Sequence, residues 1–252
     1  MVAILEARGL TKSFGNLKAL DSVDLSVEKS SVTILIGPNG SGKTTFINTV
    51  AGFYKPDSGS VLYEGRDVTS LPPHKMCRLG VVRTFQIPTL FWKLSVLENI
   101  LVAQKDNPGE GFLKSLSRRS WLTREREATE SAFRILQIVG LHDLWDRPST
   151  TLSGGQMKLL EIGRALMSDA KLLLLDEPIS GVNPTLAREI FDRIVRLRDE
   201  LGVTFFIVEH RLDIALEYVD DAIAMAFGKV VASGRASDVM VNKNVVEAYL
   251  GG

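Results

Sequence analysis

Only one cysteine, Cys77, stands among the 252 residues, so no disulfide can close within the chain, which fits a reducing compartment. Neither sign of charge is in excess. Thirty basic side chains against thirty acidic ones lack the surplus of a dedicated nucleic-acid binder, and no nucleic-acid partner is expected. Long apolar runs are missing too: Leu172–Leu175 and Ala222–Phe227 fall far short of the roughly 20 residues a membrane-spanning helix needs. At the N-terminus, Glu6 and Arg8 intervene before a signal-peptide core could form. A soluble chain is expected, one that reaches a membrane only by docking on a partner. Internal repeats and low-complexity tracts are absent as well. What remains is a globular composition, 45% hydrophobic and 24% charged, which argues against disorder. The length allows one large α/β domain or two small ones.

Residues 2–35 read as strands; Val23, Leu25 and Val27 alternate with Asp24, Ser26 and Glu28, the period of a half-buried strand. Val32–Ile36 is an apolar run that ends at a glycine-rich loop, and Thr44–Ala51 reads as a helix closed by Gly52. Asp57-Ser58-Gly59 marks a turn before a strand at Val61–Tyr63. From about Gln86 the character changes: Lys105–Gly111 is a loop by composition, and Thr123–Val139 places Phe133, Leu136 and Val139 on one helical side. This stretch reads as a helical insertion. The α/β pattern resumes with the strand Leu172–Leu175. Asn183-Pro184 then opens a helix in which Leu186, Ile190, Ile194, Leu197 and Leu201 recur at helical spacing up to Gly202. Val203–Val208 is another strand, and Ala222–Phe227 with Lys229–Ala232 flanks Gly228 as a hairpin. Strands alternating with helices point to a mostly parallel sheet.

Two glycine-rich segments could each hold phosphate. Gly37-Pro38-Asn39-Gly40-Ser41-Gly42-Lys43-Thr44, followed by Thr45, fits G-x-x-x-x-G-K-[ST] between a strand and a helix. Its backbone N–H groups would cradle phosphates at a helix's positive end, Lys43 would reach the β- and γ-phosphates, and Thr44 would ligate Mg2+. The second segment is Leu152-Ser153-Gly154-Gly155-Gln156. Ser153 with Gln156 is also an ordinary capping box, which is compatible with phosphate binding because both use free N–H groups. One triphosphate needs only one P-loop, so the second segment points to a nucleotide held between two chains. Asp176-Glu177 ends an apolar strand at the edge where α/β proteins bind ligands. Asp176 suits Mg2+ coordination through water, and Glu177 suits taking a proton from an attacking water.

Gly37–Thr44, Ser153–Gln156 and Asp176-Glu177, in that order, resemble the nucleotide-binding subunit of an ABC transporter, and the resemblance runs through essentially the whole chain. It implies an α/β P-loop NTPase (RecA-like) core over 1–86 and 161–252 with an N-terminal antiparallel β region, and an inserted α-helical subdomain over 87–160. It also implies ATP hydrolysis with Mg2+ in a head-to-tail pair of subunits, where Ser153, Gly154, Gly155 and Gln156 of one meet the ATP on the P-loop of the other. By the same resemblance Gln86 is the glutamine-loop residue that senses Mg2+ and the γ-phosphate. His210 is the switch histidine, and Phe14 in Thr11-Lys12-Ser13-Phe14-Gly15 stacks on adenine. Ser180-Gly181-Val182-Asn183 departs from the Ser-Ala-Leu-Asp of many members, which puts the aspartate's role across the dimer in doubt.

Gly181–Pro184, Leu160–Met167, Glu209-His210-Arg211 and the long segment between Val96–Asn99 and Trp121 resemble one branch, the ATPases of branched-chain amino-acid importers. Urea or amide importers and a lipopolysaccharide exporter are similar in the same features, and a soluble ABC ATPase is the more distant alternative. The implied partners are integral-membrane permease subunits, a second ATPase subunit (the same chain or a relative) and, indirectly, a periplasmic or extracellular solute-binding protein. The implied place is the cytoplasmic face of the membrane, held there by the permease. Lys114, Arg118 and Arg119 read as a solvated helix face.

Overall fold

The computed structural model describes residues 2–84, 89–105 and 118–250, with the side chains of residues 118–122 and 250 left aside. Gln86, the 106–117 segment and the Lys114, Arg118 and Arg119 side chains therefore lie outside the described residues. The chain divides into two compact units, Met1–Gln86 with Lys171–Gly252, and Ile87–Ala170. Among the described residues no helix is long and apolar enough to cross a membrane.

The first unit opens with the antiparallel pair β1 (Ala3–Phe14) and β2 (Leu17–Glu28). In β2, Val23, Leu25 and Val27 are buried while Asp24 and Ser26 are exposed, the expected alternation. β3 (Val32–Ile36) leads through Gly37–Gly42 into the helix α1 (Lys43–Val50). β4 (Ser58–Tyr63) begins inside the turn expected at Asp57–Gly59, ahead of the strand expected at Val61–Tyr63, because its first residues already pair with β1, Thr11 opposite Ser58. β5 (Arg66–Asp67) completes a four-stranded antiparallel sheet in the order β2-β1-β4-β5. The remaining strands are β6 (Val81–Arg83), β7 (Leu172–Asp176), β8 (Thr204–Val208), β9 (Asp221–Ala226) and β10 (Lys229–Arg235). With β3 they form a six-stranded sheet, β10-β9-β3-β8-β7-β6, parallel except for the β9–β10 hairpin.

Every residue of β3, β7 and β8 is buried. A strand covered on both faces has no solvent side to alternate with, which is why these read as unbroken apolar runs. α1 lies between the two sheets. Its Phe46, Ile47 and Val50 share one core with Leu10, Leu20 and Val23 of the antiparallel sheet and with Leu35, Phe206 and Val208 of the parallel one. The rings of Phe46 and Phe206 stand 5.7 Å apart. The helix Pro184–Leu201 is capped by Asn183, whose side chain accepts the Leu186 N–H at 2.9 Å, and it buries Ala187, Ile190, Phe191, Ile194 and Leu197. Leu201, expected on that face, is half exposed because it sits in the last helical position before Gly202 ends the helix.

The described residues of the second unit are helical: Val96–Leu101, Arg118–Ile138 and Gly154–Met167, with two short 3-10 turns. Ala132, Leu136 and Val139 are buried, while Phe133 packs on Trp145 at 5.7 Å. Gly163 allows close helix approach, since a Cβ there would come within 3.2 Å of Ile100 and 3.3 Å of Ile135. The boundary expected after residue 160 falls inside Gly154–Met167. This helix packs against Val96–Leu101 and Arg118–Ile138 and runs unbroken to Met167, so the division follows Ala170 instead.

Phe46 is fully buried at the junction of both sheets. Phe46→Ala should lower the unfolding free energy by about 3–5 kcal/mol in urea titration; a loss below about 1 kcal/mol would mean that α1 does not join the two sheets.

Candidate functional site

β3, β8 and β7 run parallel and side by side, with Leu35 opposite Val208 and Val208 opposite Asp176. Their C-terminal ends therefore share one edge. Gly37–Thr44 follows β3, Glu177 follows β7, and Glu209-His210 follows β8. At this edge lies a cavity of about 460 Å3 lined by Asn39–Thr45, Phe14, Glu177 and His210. Glycine is required in the loop on two grounds. Gly37 has φ +150°, and a Cβ there would lie 2.1 Å from the Met225 carbonyl oxygen; Gly42 has φ +103°, and its Cβ would meet the Ala19 carbonyl at 2.5 Å. Gly42 is also the N-cap of α1 and offers no side-chain acceptor, so it leaves the N–H groups of the first turn uncapped. Lys43 is buried, and its Nζ donates to the carbonyls of Gly37 at 2.8 Å and Pro38 at 3.0 Å. Burial holds its ammonium below the ordinary lysine value, an effect opposed by the negative charges of Glu177 and Asp176.

Glu177 has φ +50°, a left-handed conformation that is strained for a side chain of this kind, and its N–H donates to the Val208 carbonyl at 2.9 Å. Its Oε1 lies 3.3 Å from Nε2 of His210. Asp176 is held differently. Its Oδ2 pairs with Nη2 of Arg83 at 2.9 Å, with both side chains about nine-tenths buried. Arg83 also donates to Oδ1 of Asn48 in α1, and Asn48 donates to the Thr44 carbonyl at 2.9 Å. Arg83 thus ties the strand-end carboxylate to the helix that follows the loop.

Phe14 is 45% exposed on the cavity rim, with its ring edge-on to Tyr54 at 5.3 Å. Asp57 fastens this strand end by accepting from the Ser13 N–H at 2.6 Å and from Lys12 Nζ at 3.0 Å. The Ser13 N–H above all, and then Lys12, hold the Asp57 carboxyl below its usual range. The rim also includes Leu17 and Phe227, which no motif marks as site residues. Phe227 sits at the β9–β10 turn with φ +50°.

In the helical unit, Ser153 and Gln156 form the expected capping box: Ser153 Oγ accepts the Gln156 N–H at 3.3 Å, and Gln156 Oε1 accepts the Ser153 N–H at 2.9 Å. Gly154 behaves unlike Gly37 and Gly42. Among the described residues nothing lies within 4 Å of where its Cβ would be, so their packing does not demand glycine there. Among the described residues no group of three His, Cys, Asp or Glu side chains could cage a metal ion. Thr44 and Asp176 offer hard oxygen donors, the set that Mg2+ takes when phosphates and water supply the rest.

Residues 20–180 match the family described as ABC transporter. The chain is 55% identical over 248 residues to the Archaeoglobus fulgidus protein named "Probable branched-chain amino acid transport ATP-binding protein LivG", a match that covers 98% of this chain and 95% of that one. A protein of the same name from Methanocaldococcus jannaschii is 47% identical, with 98% and 97% covered. A solved nucleotide-free ATP-binding cassette from an ABC transporter has 46% identity and a TM-score of 0.85, with both chains covered in full.

The two classes of glycine make opposite predictions. Gly42→Ala should weaken binding of a fluorescent nucleotide analogue at least about tenfold, because a strained φ and a backbone clash fall inside the loop. Gly154→Ala should leave the melting temperature unchanged, since a Cβ there meets nothing among the described residues; a drop would show that Gly154 serves the fold of its own chain.

Proposed function

This chain belongs to the ABC transporter family, and from that premise we propose that it is the ATP-hydrolysing subunit of a membrane importer of branched-chain amino acids. The observation that carries the hydrolytic part is the contact of Glu177 with His210, 3.3 Å apart at the mouth of the Gly37–Thr44 loop. The solute class rests on the relatives, whose names give branched-chain amino-acid transport and not urea, amide or lipopolysaccharide.

In this reading the uncapped first turn of α1 and the loop N–H groups receive the β- and γ-phosphates. Lys43, now donating to Gly37 and Pro38, turns its ammonium onto them. Phe14 offers its ring to the adenine. Bound Mg2+ would neutralise phosphate charge beside Thr44 and Asp176. Glu177 accepts a proton from a water molecule while the water oxygen bonds to the γ-phosphorus and the bond to the bridging oxygen breaks, leaving ADP and phosphate. His210 holds Glu177 and the γ-phosphate in register. Gln86 completes the set by resemblance.

Ser153, Gly154 and Gln156, with Gly155, act on the ATP of a second ATPase subunit. The room around Gly154 supports this, since a glycine that its own chain does not need has a reason outside the chain. Two nucleotides then close the pair, hydrolysis opens it, and membrane permease subunits follow that motion. The chain sits at the cytoplasmic face of the membrane through those permease subunits, which take solute from an external binding protein.

Glu177→Gln should keep nucleotide affinity, lower turnover by about a hundredfold or more, and accumulate an ATP-bound dimer on size exclusion. Turnover at the unmutated rate would remove Glu177 from the role of base.

A further inference from the structure

Next to the Glu177–His210 contact lies a carboxylate to which the hydrolytic mechanism gives no task. Glu209 directly precedes His210, and only 2% of it is exposed. A carboxylate so far from water is destabilising unless its oxygens are hydrogen-bonded. Glu209 meets that need with backbone donors. Its Oε1 accepts the Ile179 N–H at 3.1 Å, and its Oε2 accepts the N–H groups of His210 at 2.8 Å and Arg211 at 3.1 Å. The donors on Oε2 belong to the loop that carries His210. The donor on Oε1 belongs to the segment that leaves Glu177. A second tie joins the same two segments: Nη1 of Arg211 donates to the Val182 carbonyl at 3.0 Å, while Nη2 stands 3.7 Å from Asp213.

We propose that Glu209 and Arg211 are positioning residues that clasp the His210 loop to residues 179–182, so that His210 keeps its place on Glu177. The clasp rests on the reading of Glu177 and His210 as the hydrolytic pair. It binds backbone atoms of Ile179 and Val182, and it therefore works without the aspartate that Asn183 replaces. Asn183 has its side chain engaged in capping, with Oδ1 on the Leu186 N–H at 2.9 Å. A carboxylate suits the clasp better than an amide. Both Glu209 oxygens face N–H donors, so a glutamine in either orientation sets its own NH2 against at least one of them.

The test measures ATP turnover in the assembled transporter, and fluorescent nucleotide binding, for Glu209→Gln, Arg211→Ala, His210→Ala and the double variants. Glu209→Gln should lower kcat about tenfold or more while leaving KM and nucleotide affinity within about twofold. Arg211→Ala should lower kcat in the same pattern. Each should add little to His210→Ala, because a clasp with no histidine to hold has nothing left to lose. Losses that multiply in the double variants would overturn the clasp, as would a fall in nucleotide affinity matching the fall in kcat. If Glu209→Gln does not fold, Arg211→Ala carries the same cycle, since its side chain is one-third exposed and its loss buries no new group. Full turnover in His210→Ala alone would overturn the reading of the site, and the clasp with it.

Discussion

β3, β8 and β7 lie side by side in parallel, buried on both faces, and the placement of everything else follows from that. Parallel neighbours cannot be joined by a hairpin, so the chain must cross back over the sheet between them. All three strands then finish at one edge. The first residues free of the ladder are Gly37, Glu177 and Glu209, and each leaves its strand with its backbone under constraint. Gly37 takes a conformation closed to other residues, Glu177 is strained but tied to Val208, and Glu209 buries its charge among backbone N–H groups. The apolar core fixes where the chain ends its strands, and the polar groups there inherit that precision.

The two glycine-rich segments, alike in composition, obey different physics. At Gly37 and Gly42 the chain itself forbids a side chain, so those glycines shape the loop. At Gly154 it forbids nothing, while Ser153 and Gln156 already satisfy the helix start reciprocally. Within an ABC transporter ATPase the difference has a natural meaning. In the proposed function, one segment builds a cradle for the chain's own nucleotide, and the other keeps a surface low for a nucleotide carried by a neighbour.

Much of this was legible in the sequence where the information is local. The buried strands announced themselves as apolar runs, β2 by its alternation, and the Ser153–Gln156 and Asn183-Pro184 caps by their spacing. Non-local pairings were not. Arg83 and Asp176 stand 93 positions apart, and no periodicity says that a strand-end arginine will neutralise that aspartate. Glu209 read as part of a family string, yet its burial depends on Ile179 coming close, a contact the sheet makes and the local sequence does not. The apolar run Ala222–Phe227 reads as strand to its last residue, but Phe227 occupies the turn, with φ +50° and its side chain on the cavity rim. The end of the helical unit is not legible in the sequence, because nothing in the pattern interrupts Gly154–Met167.

The claim on which the rest turns is that one nucleotide is shared by two chains. Photolabelling reads it directly, using an ATP analogue reactive at its γ-phosphate and a transporter in which this chain carries Lys43→Ala beside a partner ATPase subunit with an intact P-loop. Label on residues 153–156 of the Lys43→Ala chain, present only when the competent partner is there, is the predicted result. Label confined to the partner's own residues, with none on 153–156, would contradict it.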